Sequence, residues 1–329
     1  MKAIRIHETG DFSVIRCDTV SAPKEIGSNE VLIKPEIAGV NCIDTYFRSG
    51  QYHVQLPFTL GQECGGRVAR VGENVKDIQP GDDVVALVGS SFAERVVAPR
   101  SKVTKLPKEL DTRTAVAGWV QGLTAVTLTH AAYEIKRGDH VLVHAAAGGT
   151  GSMLVQVASA LGAHVIGTTS TAEKAERAKM LGAKHVFLYD DNLVARVKEL
   201  TNGKGVNVVY DSVGKSTFDQ SLEVLAQQGS LILFGQSSGA PDPVPVHCLM
   251  PKNIKLMRPS LYGYVTTQEE YEHFSGILLD LLVSDKVYPS VWREFLLSAE
   301  GVQQAQRELM SRTTTGKLLI RIPPSPDEA

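Results

Sequence analysis

The sequence predicts an α/β protein of two domains, one a small antiparallel β-barrel and the other a doubly wound parallel sheet. Three observations carry this. Short runs rich in Val and Gly fill residues 1 to about 122. From residue 141 onward, strand and helix candidates alternate. At the head of that alternation, His140-Val-Leu-Val-His-Ala-Ala-Ala-Gly-Gly-Thr-Gly151 passes from strand character into a small-residue turn and then a helix-forming run. A length of 329 residues suits two domains.

In the first region the strand candidates are 31–37, 67–71, 83–87 and 93–97, punctuated by Gly72, Pro80-Gly81 and Pro99. The second region offers strands at 141–144, 164–167, 185–188, 206–210 and 230–234. Helices between them are expected at 152–161, 172–181, 193–201 and 218–227. Gly162 and Gly182 stand where the first two helices should stop. Thr171 is placed to cap the second helix, with Lys174 rather than an acid three residues on. Beyond residue 262 the pattern ends. Helices are expected at 268–284 and 299–310 and a strand at 317–322, returning to the first domain. A split domain wrapped around a nucleotide-binding core follows, with a cleft between the two.

Composition narrows the function. Hydrophobic residues make up 43% of the chain, charged residues 21%, and the net charge is −2. No basic stripe points to a nucleic-acid partner. Cysteines 17, 42, 64 and 248 form no Cys-x-x-Cys pair, which argues against a disulfide framework or structural zinc. No apolar run reaches the ~18 residues of a membrane span. Met1-Lys-Ala-Ile-Arg-Ile has no apolar core of a secretory signal, and the tail 325–329 carries no recognised address. The expectation is a cytoplasmic protein.

Ala146-Ala147-Gly148-Gly149-Thr150-Gly151 fits the dinucleotide fingerprint with Ala in its first slot. Such a turn lets backbone approach a pyrophosphate and aims helix N–H groups at it. In NAD-binding units the second strand ends in an acid that accepts from the ribose 2′-OH. Here it ends Val165-Ile-Gly-Thr-Thr-Ser170, and Glu173 and Glu176 fall inside the following helix. Ser170, Thr171 and Lys174 offer hydroxyls, a helix N-terminus and a cation, which suit a 2′-phosphate. The expected cofactor is therefore NADPH. Read blandly, Lys174 is a solvated charge and Tyr189, after the third strand, a core tyrosine.

Gly61-Gln62-Glu63 resembles the Gly-His-Glu run of medium-chain alcohol dehydrogenases, and Gly39-Val-Asn41-Cys42-Ile-Asp44 their Gly-x-Cys-His-x-Asp run. Asn41 stands at the metal-ligand Cys and Gln62 at the His. Amides are poor zinc ligands beside thiolate and imidazole, so no metal is expected.

Taken together, the motifs resemble the zinc-free, NADPH-dependent quinone oxidoreductases of the medium-chain dehydrogenase/reductase superfamily, the zeta-crystallin group, and within it the bacterial type. The family signature runs from Gly138-Asp139 through the Gly-rich turn to Gln156. Further matches are Asn41–Gly50, Gly122-Leu-Thr124, Tyr210–Gly214, Phe234–Gly239 and Arg258–Leu261. The resemblance covers nearly the whole chain. It implies a GroES-like β-barrel catalytic domain (1–122 and 263–329) and a Rossmann NADPH-binding domain (123–262). It also implies that Asn41, Asp44 and Tyr46 lie on the nicotinamide side, with Thr127 close by. Gly149 and Thr150, within the turn Gly148–Gly151, would hold the pyrophosphate. Ser170 and Lys174 would meet the 2′-phosphate, with Tyr189 beside the adenosine. Val213, Phe234, Gly235 and Ser237 would line the groove, and Ser260, Leu261 and Arg312 would close it. Cys42 departs from the family's usual apolar residue and Thr150 from its usual Val.

The implied reaction is hydride transfer from NADPH to a quinone, aided by proximity, orientation and water exclusion. Candidate proton donors are Asn41, Tyr46 and Tyr52; Tyr52 also reads as a rim aromatic. His144, on the first parallel strand, reads as a satisfied core residue. One-electron reduction, reduction of α,β-unsaturated carbonyls, and a non-enzymatic NADPH- or RNA-binding role remain alternatives. The family also implies a homodimer joined through the last strands of the nucleotide domain.

Overall fold

A computed structural model describes residues 1–189 and 192–324. The tail 325–329 lies outside them. The chain divides into two compact units. One comprises Met1–Val120, Thr267–Val283 and the chain from Pro289 onward; the other comprises Gln121–Thr266 and Ser284–Tyr288.

The first unit opens with strands β1 (Lys2–Ile6), β2 (Ile15–Thr19) and β3 (Glu30–Val40), helix α1 (Cys42–Ser49), and strands β4 (Phe58–Thr59) through β5 (Glu63–Val71). Strands β6 (Asp83–Leu87), β7 (Val96–Pro99) and β8 (Val103–Lys105) follow. β1 pairs antiparallel with β2 and β4; β3, β5, β6 and β8 form an antiparallel ladder, with β7 on β3. The alternating residues of 31–33 and 84–86 turn Val31, Ile33, Val84 and Ala86 into one core with Val68, Val75 and Ile78. A second core gathers Ile4, Ile6, Leu60, Phe92 and Ile320.

Helix α2 (Thr112–Thr127) leaves no periodic signal in the sequence, and the boundary between the units falls within it. Its residues Ala115, Val116, Ala117, Trp119, Leu123, Ala125 and Val126 are all buried. Apolar side chains all round blur the 3.6-residue stripe that marks a surface helix.

The second unit alternates as expected. Its elements are β9 (His140–Val143), α3 (Gly149–Ala160), β10 (His164–Thr169), α4 (Ala172–Met180), β11 (His185–Leu188), α5 (Leu193–Leu200), β12 (Val206–Asp211), α6 (Phe218–Val224) and β13 (Leu225–Leu233). A sixth strand, β14 (Lys255–Met257), joins them in a parallel sheet of order β11-β10-β9-β12-β13-β14. The order reverses between β9 and β12, the switch point where such sheets bind ligands. Gly162 and Gly182 adopt φ of 85° and 112°, and Thr171 accepts from Lys174 N, as the caps require. Helix α6 stops at Val224, short of the expected 227, because Leu225 turns extended and pairs with Val206 of β12.

After α7 (Leu261–Tyr264), α8 (Gln268–Val283) returns to the first unit. The segment Ser284–Tyr288 instead belongs to the second, held by Gln156, whose Nε2 donates to Tyr288 O (3.3 Å) and whose Oε1 accepts from Tyr288 N (2.7 Å). β15 (Val291–Leu296), α9 (Ala299–Met310) and β16 (Lys317–Arg321) complete the seven-stranded sheet, β15 and β16 running parallel and β16 antiparallel to β3.

Candidate active site

In the second unit the site forms where parallel strands end. β9 runs into Ala145–Gly151. Ala145 adopts φ +51°, and its carbonyl accepts from Gly148 N (2.9 Å). That carbonyl then lies so near Gly151 that a Cβ there would sit 2.1 Å from it. The tight turn therefore demands glycine at 151. A Cβ at Gly149 would sit 2.1 Å from Gln121 Nε2, so this amide packs against the turn, a neighbour that no local pattern disclosed. Tyr189, after β11, reaches back so that its hydroxyl accepts from Ala145 N (2.8 Å). It braces the turn, rather than acting as a plain core tyrosine.

β10 delivers Ser170 and the first turn of α4. Thr171 Oγ1 accepts from Lys174 N (3.3 Å), and Lys174 Nζ donates to Ser170 Oγ (3.4 Å). Partial burial pulls the Lys174 ammonium below its usual pKa, with Glu173 opposing. No carboxylate occupies 168–171. A cation, two hydroxyls and a helix N-terminus thus converge at the end of the second strand.

β12 and β13 supply the other bank. Ser237 N donates to Ser212 O (3.1 Å), and Ser238 Oγ donates to Val213 O (2.8 Å). Gly235 packs so tightly that a Cβ would meet Ser212 O at 2.6 Å. Beyond β14, Arg258 donates to Leu233 O (2.9 Å), anchoring the stretch that leads to Ser260 and buried Leu261. The residues read from the sequence at 148–151, 170, 174, 189, 213, 234, 235, 237, 260 and 261 thus gather at one edge of the sheet. Thr127 lies on a helix rather than at a strand end. It is buried in α2 with its hydroxyl donated to Leu123 O (2.9 Å).

In the first unit, α1 presents the remaining candidates. Asp44 caps it, accepting from Asn41 N (2.8 Å) and Gly61 N (3.1 Å). Burial pushes its carboxyl up to about 7, against the pull of these hydrogen bonds and Lys317. Tyr46 and Tyr52 meet edge to face, ring centroids 5.3 Å apart, because the chain turns back after Gly50 and Tyr52 N donates to Tyr46 O (3.1 Å). Arg312 follows α9 at φ +60°.

Asn41 is locked differently. Its Nδ2 donates to Glu63 Oε1 (2.8 Å) and Gly39 O (3.2 Å), while its Oδ1 accepts from Lys317 Nζ (2.8 Å). Lys317 also pairs with Glu63 at 2.5 Å, both side chains 0% exposed, and Glu63 Oε2 accepts from Val120 N (2.7 Å). With both amide hydrogens engaged, Asn41 is a weaker donor candidate than the two tyrosines. A Cβ at Gly39 would stand 2.2 Å from Glu63 Oε1, so glycine makes room for this cluster.

These residues do not suit zinc. Where metal-binding relatives carry Cys and His, the chain has amides, and its own ammonium sits between Asn41 and Glu63. Among the described residues no group of three or more His, Cys, Asp or Glu is placed to hold a metal ion. A second cation beside Lys317 would be repelled.

A glycine-rich turn at the switch point of a parallel sheet, joined to a GroES-like unit, defines the class of medium-chain dehydrogenases/reductases. Residues 27–108 match the alcohol dehydrogenase GroES-like domain and residues 149–281 the zinc-binding dehydrogenase family, whose metal this donor set does not fit. A probable quinone oxidoreductase of Schizosaccharomyces pombe is 40% identical over 96% of both chains. A 2-haloacrylate reductase of Burkholderia is 36% identical, covering 89% of this chain and 91% of that one. The crystal structure of Escherichia coli quinone oxidoreductase complexed with NADPH matches with a TM-score of 0.93 and 38% identity, over 98% of this chain and 100% of that one. The chain belongs to the quinone oxidoreductase family of this class.

Proposed function

We propose that this protein is an NADPH-dependent quinone reductase. The observation that carries the reading is the end of β10, where Ser170, Thr171 and Lys174 offer a cation and hydroxyls and no acid. A 2′-phosphate of nearly two negative charges is attracted there, whereas the ribose hydroxyls of NADH find no carboxylate at 168–171. NADPH, when bound, supplies the hydride. The chain's part is to hold the pyrophosphate on the backbone of Gly148–Gly151, to orient the nicotinamide, and to exclude water. Tyr46 and Tyr52 are the donor candidates for the oxygen that gains charge on the acceptor. Asn41, Asp44, Thr127 and Arg312 complete the proposed cofactor surroundings. Of these, Asn41 and Asp44 shape the Tyr46 helix through its cap.

The 36% identical 2-haloacrylate reductase favours a second acceptor class, activated alkenes. The same hydride donor serves both. Parallel kcat/KM measurements with a benzoquinone and an α,β-unsaturated acid choose between them. The reading expects the quinone to be preferred; preference for the alkene overturns it in favour of the second.

The protein is further read as a cytoplasmic homodimer. In support of the first, all four cysteines are free and no described helix is long and apolar enough to cross a membrane. In support of the second, Val246 (80% exposed) and Met250 (72%) lie in the chain leading into edge strand β14, an apolar surface beside unpaired strand groups. Sedimentation equilibrium should return twice the chain mass, and a monomer refutes the dimer.

A further inference from the structure

Beneath the phosphate turn, four polar side chains, each 0% exposed, are joined in one chain. Asp211, the last residue of β12, accepts from Val213 N (2.7 Å) and Gly214 N (3.0 Å) with Oδ1. Its Oδ2 accepts from Thr217 Oγ1 (2.8 Å) and Ser221 Oγ (2.9 Å). Ser221 Oγ lies 3.0 Å from His144 Nε2, and His144 Nδ1 lies 2.8 Å from Thr168 Oγ1.

The direction of every hydrogen follows from one end. A carboxylate only accepts, so the Ser221 hydroxyl donates to Asp211. Its oxygen then accepts from His144 Nε2–H. In the neutral ring that burial favours, Nδ1 is then bare and accepts from the Thr168 hydroxyl. The imidazole is held as one neutral tautomer, and burial lowers its pKa in keeping with this.

An apolar core would fill this space at less cost in desolvation. What the chain does that apolar packing does not is fix direction, and it does so at three strand ends. His144 precedes the Ala145–Gly151 turn. Thr168 precedes Ser170 and Lys174. Asp211 holds the 212–214 turn through Val213 N and Gly214 N. A fourth loop is tied in, because the Tyr189 ring stacks on His144 (centroids 6.1 Å, 16°) while its hydroxyl accepts from Ala145 N.

We propose that His144 is a positioning residue for the cofactor: through the Asp211–Ser221–His144–Thr168 chain it holds the pyrophosphate turn and the 2′-phosphate loop at their binding separation without touching either. This rests on the NADPH reading above. The groups are satisfied before ligand arrives, so affinity is set partly by what the site need not reorganise.

The test compares wild type, His144→Phe and Ser221→Ala. Phe keeps the ring and its stacking on Tyr189 but removes both hydrogen bonds; Ala removes only the link to Asp211, a milder change should the Phe variant fail to fold. NADPH dissociation constants are measured by calorimetry well below each variant's Tm, which is recorded separately. Saturable binding to wild type with a Kd raised at least fivefold in the soluble variants supports the inference. Wild-type Kd values in the variants, with Tm alone lowered, reduce the chain to packing and overturn it. Absence of saturable NADPH binding to wild type overturns the functional reading itself.

Discussion

Replacing Lys317 by Met removes an ammonium from a place where neither it nor its partner meets solvent. Met keeps the aliphatic stem, so the change is one of charge. Asn41 Oδ1 loses a donor at 2.8 Å, and Glu63 keeps only Asn41 Nδ2 and Val120 N. Orphaning one member of a buried pair costs about 3–5 kcal/mol. The exposed pair Arg67–Asp83, with side chains 65% and 50% exposed, provides the control, and Arg67→Met should cost under about 1 kcal/mol. Adding Glu63→Gln to Lys317→Met removes the stranded charge and should recover about 2 kcal/mol, a coupling that contacting residues show and distant ones do not. Urea denaturation at neutral pH, followed by circular dichroism and fluorescence, reads the two single variants, the double variant and Glu63→Gln alone. A Lys317→Met cost no larger than that of Arg67→Met, or strict additivity in the double variant, refutes the reasoning.

Three further outcomes follow from the same geometry. Gly151→Ala, whose Cβ would sit 2.1 Å from Ala145 O, should abolish measurable NADPH binding in calorimetry while far-ultraviolet dichroism stays native; retained binding contradicts the tight turn. The Asp44 carboxyl, raised by burial to about 7 from an unfolded value of about 3.9, contributes stability that is present in full below the unfolded value. That contribution is lost as pH rises through about 7, so unfolding midpoints of wild type should fall relative to Asp44→Asn across this window; parallel profiles would show the carboxyl is not so perturbed. Of Tyr46→Phe and Tyr52→Phe, at least one should lower kcat on the order of tenfold, and unchanged rates in both remove the tyrosines as proton donors.

What could be read in the sequence was local. The 148–151 turn, the Thr171 cap and the stops at Gly162 and Gly182 each depend on residues within a few positions, and each stands as the pattern implies. The strand ends that carry Ser170, Tyr189, Val213 and Phe234 follow from the alternation, because parallel strands bring their carboxyl ends to one edge. The Lys317–Asn41 bond joins residues 276 apart, and no periodicity signals it. Asn41 and Gln62 showed by residue type that zinc is disfavoured; that a lysine fills the space is a fact of packing. The same holds for Gln121 against Gly149. Strand β14 carries no sequence signal because three residues at a sheet edge are too few to alternate, and α2 none because it is apolar on every side.

The central claim is that the end of β10 selects the 2′-phosphate, and paired dissociation constants for NADPH and NADH, on wild type and Lys174→Ala, test it most directly. A charge-assisted contact of about 1.5–3 kcal/mol corresponds to roughly ten- to a hundredfold in affinity. Wild type should bind NADPH more tightly than NADH by about that factor, and Lys174→Ala should lose most of the difference while leaving NADH unchanged. Equal affinity of wild type for the two cofactors, or undiminished preference in the variant, would contradict the account.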